Sequence, residues 1–235
     1  MPSISVVLPA YNEEANLPRI VPAVIDVVSR LTDDYEVIIV DDGSRDRTAE
    51  VSQNLSSVYP PVRPVRHEIN RGYGGALATG FATASKDLLF FTDADNQFDV
   101  GELEKLMALI NVADMVVGYR APRRDPVYRR LNAAGWNLLV NLLFGYTARD
   151  VDCAFKLFWR RILDRVVVES RGATFSAELL VRTRRAGFSI REVPVKHLPR
   201  LAGHQTGARL GVILRAFREL IAFRQRLGQE QTKAA

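Results

Sequence analysis

Four polar segments hold the residues best suited to chemistry, and each follows an apolar or extended run. They are Tyr11-Asn12-Glu13-Glu14, Asp41-Asp42-Gly43-Ser44, Asn70-Arg71-Gly72 and Asp93-Ala94-Asp95-Asn96-Gln97. Asp93 and Asp95 are two residues apart, so in an extended chain both side chains point to the same side. Two carboxylates placed together repel each other unless a cation lies between them. Mg²⁺ and Mn²⁺ favour such hard oxygen ligands together with phosphate oxygens. The pair therefore predicts a metal site for a phosphorylated ligand, with Gln97 as a further neutral ligand.

Both acidic segments also have a plainer interpretation. Asp93 and Asp95 could belong to a turn that caps the next helix, but Asp99 is better placed for that cap. Asp41 and Asp42 could form an ordinary strand-to-helix turn in which Gly43 supplies a positive φ. Two adjacent acids are more than such a turn requires, and a carboxylate there could accept hydrogen bonds from a ribose or a base.

Strands and helices alternate through the first 118 residues, which predicts an α/β fold with a mainly parallel sheet and right-handed crossovers. The predicted strands are 4–8, 36–40, 62–66, 87–92 and 114–118, and the predicted helices are 17–31, 46–55, 74–84 and 100–110. Ligands of such sheets bind at the carboxyl ends of the strands, where the polar segments fall. The second half predicts helices at 131–144, 174–185 and 210–227 and strands at 155–159 and 190–196.

Composition and length indicate one globular domain. The chain has 235 residues, of which 47% are hydrophobic and 25% charged. We expect a single domain over 1–228, with a nucleotide-binding half at 1–118, an acceptor-binding half at 119–228 and a frayed tail at 229–235. Cys153 is the single cysteine, which excludes an internal disulfide framework and a cysteine-rich zinc site. No secretory signal and no apolar run of about 18 residues is recognisable, so a cytoplasmic location without a spanning helix is expected.

The positive charge of the chain indicates an anionic partner. The net charge is +5 and the sequence pI is about 9.5. Five arginines lie in an eleven-residue window, and the planar guanidinium suits bidentate phosphate contacts: Arg120, Arg123, Arg124, Arg129 and Arg130. The alternative is a solvated basic loop. Aromatic residues are not interleaved with the arginines as stacking platforms for nucleic acid require, so no nucleic-acid partner is expected.

The order and spacing of the four polar segments resemble family 2 inverting glycosyltransferases of the GT-A fold. Within that family the chain is similar to polyprenyl-phosphate hexose synthases of the dolichol-phosphate-mannose type, from about Ser3 to Gly207. The resemblance implies a nucleotide-sugar donor, GDP- or UDP-hexose, and a dolichyl or undecaprenyl phosphate acceptor. It also implies roles for individual residues. Nucleotide-sugar contacts fall to Pro9, Tyr11, Glu13, Asp41, Asp42 and Ala94, and the metal and diphosphate to Asp93, Asp95 and Gln97.

The resemblance extends to the second half of the chain. Arginines matching Arg120, Arg129 or Arg130, and Arg200 contact donor or acceptor phosphates in the resembling synthases. Spacing does not decide between Arg129 and Arg130. Asp150 matches a family acid and is expected to join Asp93 and Asp95 as a catalytic residue, with an ion pair to Lys156 or an arginine as the alternative. The family's Gly-x-Ser-Lys is replaced by 203–206, which lacks the lysine.

Two apolar helices raise the question of a membrane. The helix at 131–144 is apolar on most sides, and the helix at 210–227 carries both apolar residues and arginines. Each could pack on the core or lie at a bilayer surface. Because the acceptor implied by the resemblance is a membrane lipid, we expect peripheral attachment at the inner face of the membrane, with a membrane-anchored protein as a possible partner.

Two other enzyme functions compete with this interpretation. A transferase of the same fold could act on a hydroxyl group of a saccharide or small molecule, which requires a general base such as Asp150 or Asp152. The arginine cluster argues against that acceptor. A dinucleotide-binding oxidoreductase is suggested by Gly72-Tyr73-Gly74-Gly75, but this motif follows the third strand and Leu77 replaces its third glycine.

Overall fold

The computed structural model describes residues 1–122, 127–199 and 210–234. Its strands are β1 (Ile4–Ala10), β2 (Tyr35–Asp41), β3 (Val62–Arg66), β4 (Leu88–Thr92), β5 (Met115–Arg120), β6 (Phe155–Trp159) and β7 (Ile190–Val195). Its helices are α1 (Leu17–Leu31), α2 (Thr48–Val58), α3 (Tyr73–Thr83), α4 (Leu103–Met107), α5 (Val127–Phe144), α6 (Phe175–Arg185) and α7 (Leu210–Ala234). Short 3-10 segments, Val100–Glu102 and Arg160–Asp164, precede α4 and follow β6.

Within the described residues, seven strands form one sheet in the order β3-β2-β1-β4-β6-β5-β7. All neighbouring pairs are parallel except those of β6, which is antiparallel to both β4 and β5. The expected mainly parallel sheet is confirmed. Strands from both halves of the sequence share this sheet, because β6 pairs directly with β4. The carboxyl ends of β1, β2, β4 and β5 therefore lie along one edge.

The centre of the sheet is apolar because helices cover both faces. Every residue of β1 and of β4 is buried, as expected for strands covered on both sides. On one face α3 approaches so closely that a Cβ at Gly80 would lie 2.3 Å from Val7 Cγ1, so glycine is required there. Gly43 has φ +70°, and a Cβ there would lie 2.8 Å from Asn70 N, which brings the loop after β2 against the loop before α3.

Several boundaries differ from those expected. The helix expected at 100–110 divides into the 3-10 segment and α4, although Asp99 caps it as expected by accepting a hydrogen bond from Gly101 N at 3.1 Å. The helix expected to begin at Leu131 begins four residues earlier, so Arg129 and Arg130 lie on α5 and not in a loop. The tail expected to fray from Gln229 continues α7 to Ala234, because Glu230 accepts hydrogen bonds from Arg182 at 2.9 and 3.0 Å.

A buried acid links neighbouring strands at the end of the sheet opposite the polar segments. Glu36 of β2 accepts hydrogen bonds from Ser5 Oγ (2.7 Å), Ser85 N (2.7 Å) and the Arg63 guanidinium. Burial by itself raises the pKa of Glu36, but these hydrogen bonds outweigh it and lower the pKa to about 2. The ionised carboxylate thus joins three strands and the loop before β4.

Replacing Glu36 by alanine should destabilise the fold by about 2 kcal/mol or more, because the donors around it lose a buried acceptor. Since the folded pKa lies below the unfolded one, this stabilisation is present above the unfolded pKa of 4.5. It should be lost as pH falls from there toward 2. Urea unfolding of wild type and variant at pH 7 and pH 3 measures the difference. An equal difference in the free energy of unfolding between wild type and variant at both pH values would contradict the role assigned to Glu36.

Candidate active site

The acid pair lies directly after β4, in the middle of the sheet. Asp95 is 7% exposed and Asp93 is half-buried. Burial and then the negative charge of Asp95 raise the pKa of Asp93 to about 7. Two ionised carboxylates are therefore unfavourable here unless a positive charge compensates them. Hard oxygen donors under that constraint fit a divalent cation.

Metal ligands beyond the pair must be supplied from elsewhere. Across residues 1–122, 127–199 and 210–234, no group of three His, Cys, Asp or Glu side chains is placed to hold a metal ion. Mg²⁺ and Mn²⁺ sites that act on phosphates commonly use one or two carboxylates and take their other ligands from water and substrate. The residues present fit a metal of that kind.

Three polar contacts fix the turn that carries the pair. Asp95 Oδ1 accepts a hydrogen bond from Gln97 N at 3.1 Å. Asn96 has φ +59°, an uncommon value for a residue with a side chain, and its Nδ2 donates to Asn16 O at 3.2 Å. The Tyr73 hydroxyl lies beside Asp93 and hydrogen-bonds to it, which lowers the pKa of Asp93 against the effect of burial. The sequence carries no signal for this role of Tyr73, although it directly follows Asn70-Arg71-Gly72.

Gln97 is held by a returning segment of the chain. Its Nε2 donates to Leu198 O at 3.4 Å, and Leu198 N donates to Gln97 O at 2.8 Å. Phe98 pairs with His197 in an isolated β-bridge. The segment after β7 therefore lies next to the acid pair, a contact that sequence spacing gave no means to find. Arg200 and the 203–206 segment lie outside the described residues. Gln97 as a metal ligand stays a prediction.

The loop between β1 and α1 supports the same edge of the sheet. Pro9 and Ala94 are buried, whereas Tyr11 is 38% exposed. Glu13 is 8% exposed; its carboxylate accepts a hydrogen bond from Asn16 Nδ2, and its backbone N donates to Thr48 Oγ1 at 2.8 Å. Glu13 therefore organises the start of α1, and its contact with a nucleotide stays a prediction.

Asp42 organises the loop before α3. Its Oδ1 accepts from Arg71 N at 2.8 Å and its Oδ2 from Gly72 N at 2.9 Å. His67 Nδ1 lies 2.7 Å from Asp42 Oδ1, and His67 Nε2 lies 2.9 Å from Thr79 Oγ1. These bonds give Asp42 a positioning role that the sequence did not reveal, because its partners lie 25 to 30 residues away. Direct contact with a base or ribose stays a prediction.

Asp41 points to the opposite side and borders a cavity of about 410 Å³ between α2 and β3. Its Oδ1 accepts from Ser44 N at 2.9 Å. Its Oδ2 is buried and finds no hydrogen-bond donor among the described residues, although Arg66 Nε lies 3.6 Å away. A buried carboxylate oxygen without a hydrogen bond is costly, and a donor group on a ligand in this cavity would satisfy it.

Arg120 and Asp150 form a two-pronged ion pair at the end of β5. Arg120 Nε donates to Asp150 Oδ2 and Arg120 Nη2 to Asp150 Oδ1, both at 2.7 Å. The side chains are 14% and 6% exposed, so the pair is largely shielded from water. Of the two partners expected for Asp150, the structure gives the arginine. The catalytic role of Asp150 and the phosphate contact of Arg120 stay predictions.

A buried lysine and a second acid lie beside this ion pair. We call this set of charged residues the acid cluster: Asp93, Asp95, Arg120, Asp150, Asp152 and Lys156. The Lys156 ammonium is fully buried and donates to the carbonyls of Val151 (3.1 Å) and Cys153. Asp152 is exposed, and its Oδ1 accepts a hydrogen bond from Trp136 Nε1 at 3.2 Å. Desolvation by neighbouring protein atoms, and then the negative charge of Asp150, raise the pKa of Asp152 to about 6. Burial raises the pKa of the Cys153 thiol to about 12, which fits a small core side chain and not a nucleophile.

Of the remaining candidate arginines, the structure describes the side chain of Arg130 alone. Arg130 is exposed on the first turn of α5. The side chain of Arg129 and the whole of 123–126, with Arg123 and Arg124, lie outside what the structure describes. The structure therefore brings Arg120 to the acid cluster and does not decide between Arg129 and Arg130.

Comparison with known proteins identifies the family. The model of the family described as Glycosyl transferase family 2 matches residues 5–167. The chain belongs to glycosyl transferase family 2. The chain is similar to a dolichyl-phosphate beta-glucosyltransferase of Trichomonas vaginalis, 33% identical over 82% of this chain and 65% of the relative. An undecaprenyl-phosphate 4-deoxy-4-formamido-L-arabinose transferase of Pseudomonas fluorescens is 33% identical over 85% of this chain and 58% of the relative. The chain thus spans about three-fifths of the length of these two relatives.

Solved structures show the GT-A fold expected for this family. Glucosyl-3-phosphoglycerate synthase of Mycobacterium tuberculosis, in complex with Mn²⁺, UDP-glucose and phosphoglyceric acid, superposes with a TM-score of 0.73. The sequences are 24% identical, and the match covers 95% of this chain and 80% of that chain. Its complex with phosphoglyceric acid gives a TM-score of 0.72 at 24% identity, over 94% and 80% of the two chains.

Proposed function

We propose that the chain transfers a hexose, with inversion, from GDP- or UDP-hexose to a dolichyl or undecaprenyl phosphate. One observation carries this proposal. Asp93 and Asp95 lie together at the carboxyl edge of the sheet, and their charges are unfavourable there without a cation. The names of the two family relatives, which specify polyprenyl-phosphate acceptors, support the acceptor class. The Mn²⁺ and UDP-glucose bound by the mycobacterial synthase support the donor class.

The proposed roles of the residues come from the family resemblance, and the positions of those that the structure describes support them. Asp93, Asp95 and Gln97 would hold Mg²⁺ or Mn²⁺ next to the diphosphate of the donor. Lewis-acid neutralisation of the leaving diphosphate is the chemistry that such a cation supplies when bound. Asp41 offers its unsatisfied Oδ2 to the nucleoside, next to the cavity of about 410 Å³. Contacts of Pro9, Tyr11, Glu13, Asp42, Ala94 and Arg200 with the donor are part of the same proposal.

The acceptor side needs positive charge more than it needs a base. A phosphate monoester is already anionic at neutral pH, so its oxygen can attack the anomeric carbon without a strong general base. Arginines then hold the acceptor phosphate and the donor diphosphate, two anions that would otherwise repel each other. We assign this role to Arg120, whose guanidinium is held by Asp150, and to Arg129 or Arg130. Holding reactants in position lowers the activation barrier by up to about 7–11 kcal/mol in ideal cases.

A second candidate function is transfer to a hydroxyl group of a saccharide or small molecule. Asp152 favours it, because a carboxyl with a pKa of about 6 in the acid cluster is suited to act as a general base. The Arg120 guanidinium, held by Asp150, is suited to an anionic phosphate and gives no comparable benefit to a neutral acceptor. The polyprenyl-phosphate proposal therefore keeps precedence.

We further propose that the protein works from the cytoplasmic side, peripherally at the inner face of the membrane, alone or with a membrane-anchored partner. No helix within 1–122, 127–199 or 210–234 combines the length and apolarity needed to span a bilayer. The acceptor chemistry and the basic character of the second half support a position at the lipid surface.

Thermal unfolding with nucleotide sugars should identify the donor. GDP- or UDP-hexose should raise the melting temperature in the presence of Mn²⁺ and much less in its absence, because a ligand that binds the native state stabilises it. Incubating the donor that binds, radiolabelled in its sugar, with undecaprenyl or dolichyl phosphate should move label into the organic phase. Label transferred to a saccharide acceptor and not to the lipid would favour the second candidate. Absence of any stabilisation by either nucleotide sugar would contradict both.

A further inference from the structure

Helix α5 exposes a line of aliphatic side chains. Val127, Leu131, Leu138 and Leu142 are 68%, 67%, 70% and 79% exposed. Their spacing places them on one face of the helix, and Val140 on the opposite face is fully buried. We call these four residues the α5 stripe. Large aliphatic side chains so exposed on one helix face mark a contact surface.

Helix α5 and the helix beside it carry exposed arginines. The 18 residues of α5 contain no Asp or Glu, and Arg130 is exposed among them. Helix α7 lies alongside, since Trp136 and Phe217 have ring centroids 5.9 Å apart and Phe144 and Phe223 5.1 Å apart. From α7 come three exposed arginines: Arg215, Arg218 and Arg224. Helix α5 therefore carries an aliphatic line and no acid, and the helix packed against it adds exposed arginines.

The inner side of α5 is bonded to the candidate site. Trp136 Nε1 donates to Asp152 at 3.2 Å, Asn137 Nδ2 donates to Arg149 O at 2.9 Å, and Asn137 Oδ1 accepts from Val151 N at 3.1 Å. The segment held by these bonds carries Asp150. Helix α5 thus has the acid cluster on one side and the α5 stripe on the other.

We propose that the α5 stripe docks onto the surface of an anionic lipid bilayer. An amphipathic helix with leucines on one face and arginines nearby gains both apolar burial and attraction to acidic headgroups. A two-fold contact with a second copy is disfavoured, because it would bring like-charged arginines together without acids on α5 to pair with them. The inference rests on the proposed function in that a polyprenyl-linked acceptor lies in such a bilayer, and docking through α5 sets the acid cluster close to it.

Vesicle sedimentation tests the docking surface without substrates. Wild-type protein should sediment with vesicles of equal parts phosphatidylcholine and phosphatidylglycerol, bind pure phosphatidylcholine at least tenfold more weakly, and be released by 0.5 M NaCl, as expected for about three or more arginine contacts. The double variant Leu138→Glu with Leu142→Glu should bind acidic vesicles at least tenfold more weakly, because two charges then oppose insertion.

The matched control is Val58→Glu with Val112→Glu, which adds the same two charges at side chains 68% and 66% exposed elsewhere. This control should bind vesicles within about twofold of wild type, since surface electrostatics over such distances are screened. Equal binding of the α5 double variant and wild type overturns the proposal. So does a wild-type dimer in analytical ultracentrifugation that the α5 double variant converts to monomer. Because no nucleotide sugar or acceptor is present, vesicle binding can succeed or fail independently of the transferase assay.

Discussion

Replacing Asp93 by asparagine should lower turnover about a thousandfold or more, which corresponds to ~4 kcal/mol of lost transition-state stabilisation. The amide keeps the size of the side chain but removes one of the two charges that attract the cation. The stabilisation of the protein by Mn²⁺ together with the donor nucleotide should disappear with it. Initial rates at saturating donor, and melting temperatures with and without Mn²⁺, measure the two effects.

The same substitution should not destabilise the protein without ligands. Burial and Asp95 make the ionised form of Asp93 unfavourable in the native state, so a neutral side chain there relieves repulsion. The melting temperature of the metal-free variant should equal or exceed that of wild type. Asp33→Asn, at an exposed position far along the sequence from the pair, is the control and should change neither property. Wild-type turnover in folded Asp93→Asn protein would remove the acid pair from the mechanism.

Replacing Arg120 by alanine is expected to have the second-largest effect, and on stability as well as on activity. Asp150 is 6% exposed, so losing its bidentate partner removes much of the compensation of a buried charge. Breaking such a buried pair costs about 3–5 kcal/mol. Chemical unfolding measures that loss. Arg161→Ala breaks an ion pair whose arginine is 56% exposed, and should cost less than about 1 kcal/mol.

A double variant separates the structural from the functional part of Arg120. Arg120→Ala with Asp150→Asn removes the stranded charge and should recover much of the stability lost by Arg120→Ala alone. Transfer to a polyprenyl phosphate should stay at least about a hundredfold below wild type, because the cation that we propose to face the phosphate is still missing. Recovery of activity together with stability would show that Arg120 serves the fold and does not contact the acceptor.

Several features of this chain could be read from local sequence. The strands covered by helices on both faces are continuous apolar runs, so β1, β2 and β4 were predicted almost residue by residue. Asp99 was predicted as a helix cap, and it accepts the expected backbone hydrogen bond. The family followed from four ordered polar segments. Each of these features depends on neighbours close in the chain, or on a rule that holds for every parallel sheet.

Boundaries in the second half were less predictable. The first turn of α5 is basic, a composition that a solvated loop shares, so the sequence did not predict it as helical. Helix α7 continues past Gln229 because Arg182, far away in sequence, holds Glu230. Propensity and periodicity do not report on such tertiary contacts.

The sequence by itself determined which residues could carry charge to the edge of the sheet: the acid pair after β4, the acids after β2 and the arginines after β5. Only the tertiary structure decided how these charges are used. In the folded chain Asp42 accepts hydrogen bonds from the backbone of Arg71 and Gly72, and Asp41 Oδ2 faces a cavity. Asp150 pairs with Arg120 across 30 residues of sequence. The physical reason is that a carboxylate's role depends on the donors and charges within a few ångströms of it, and in this fold these come from segments distant in sequence.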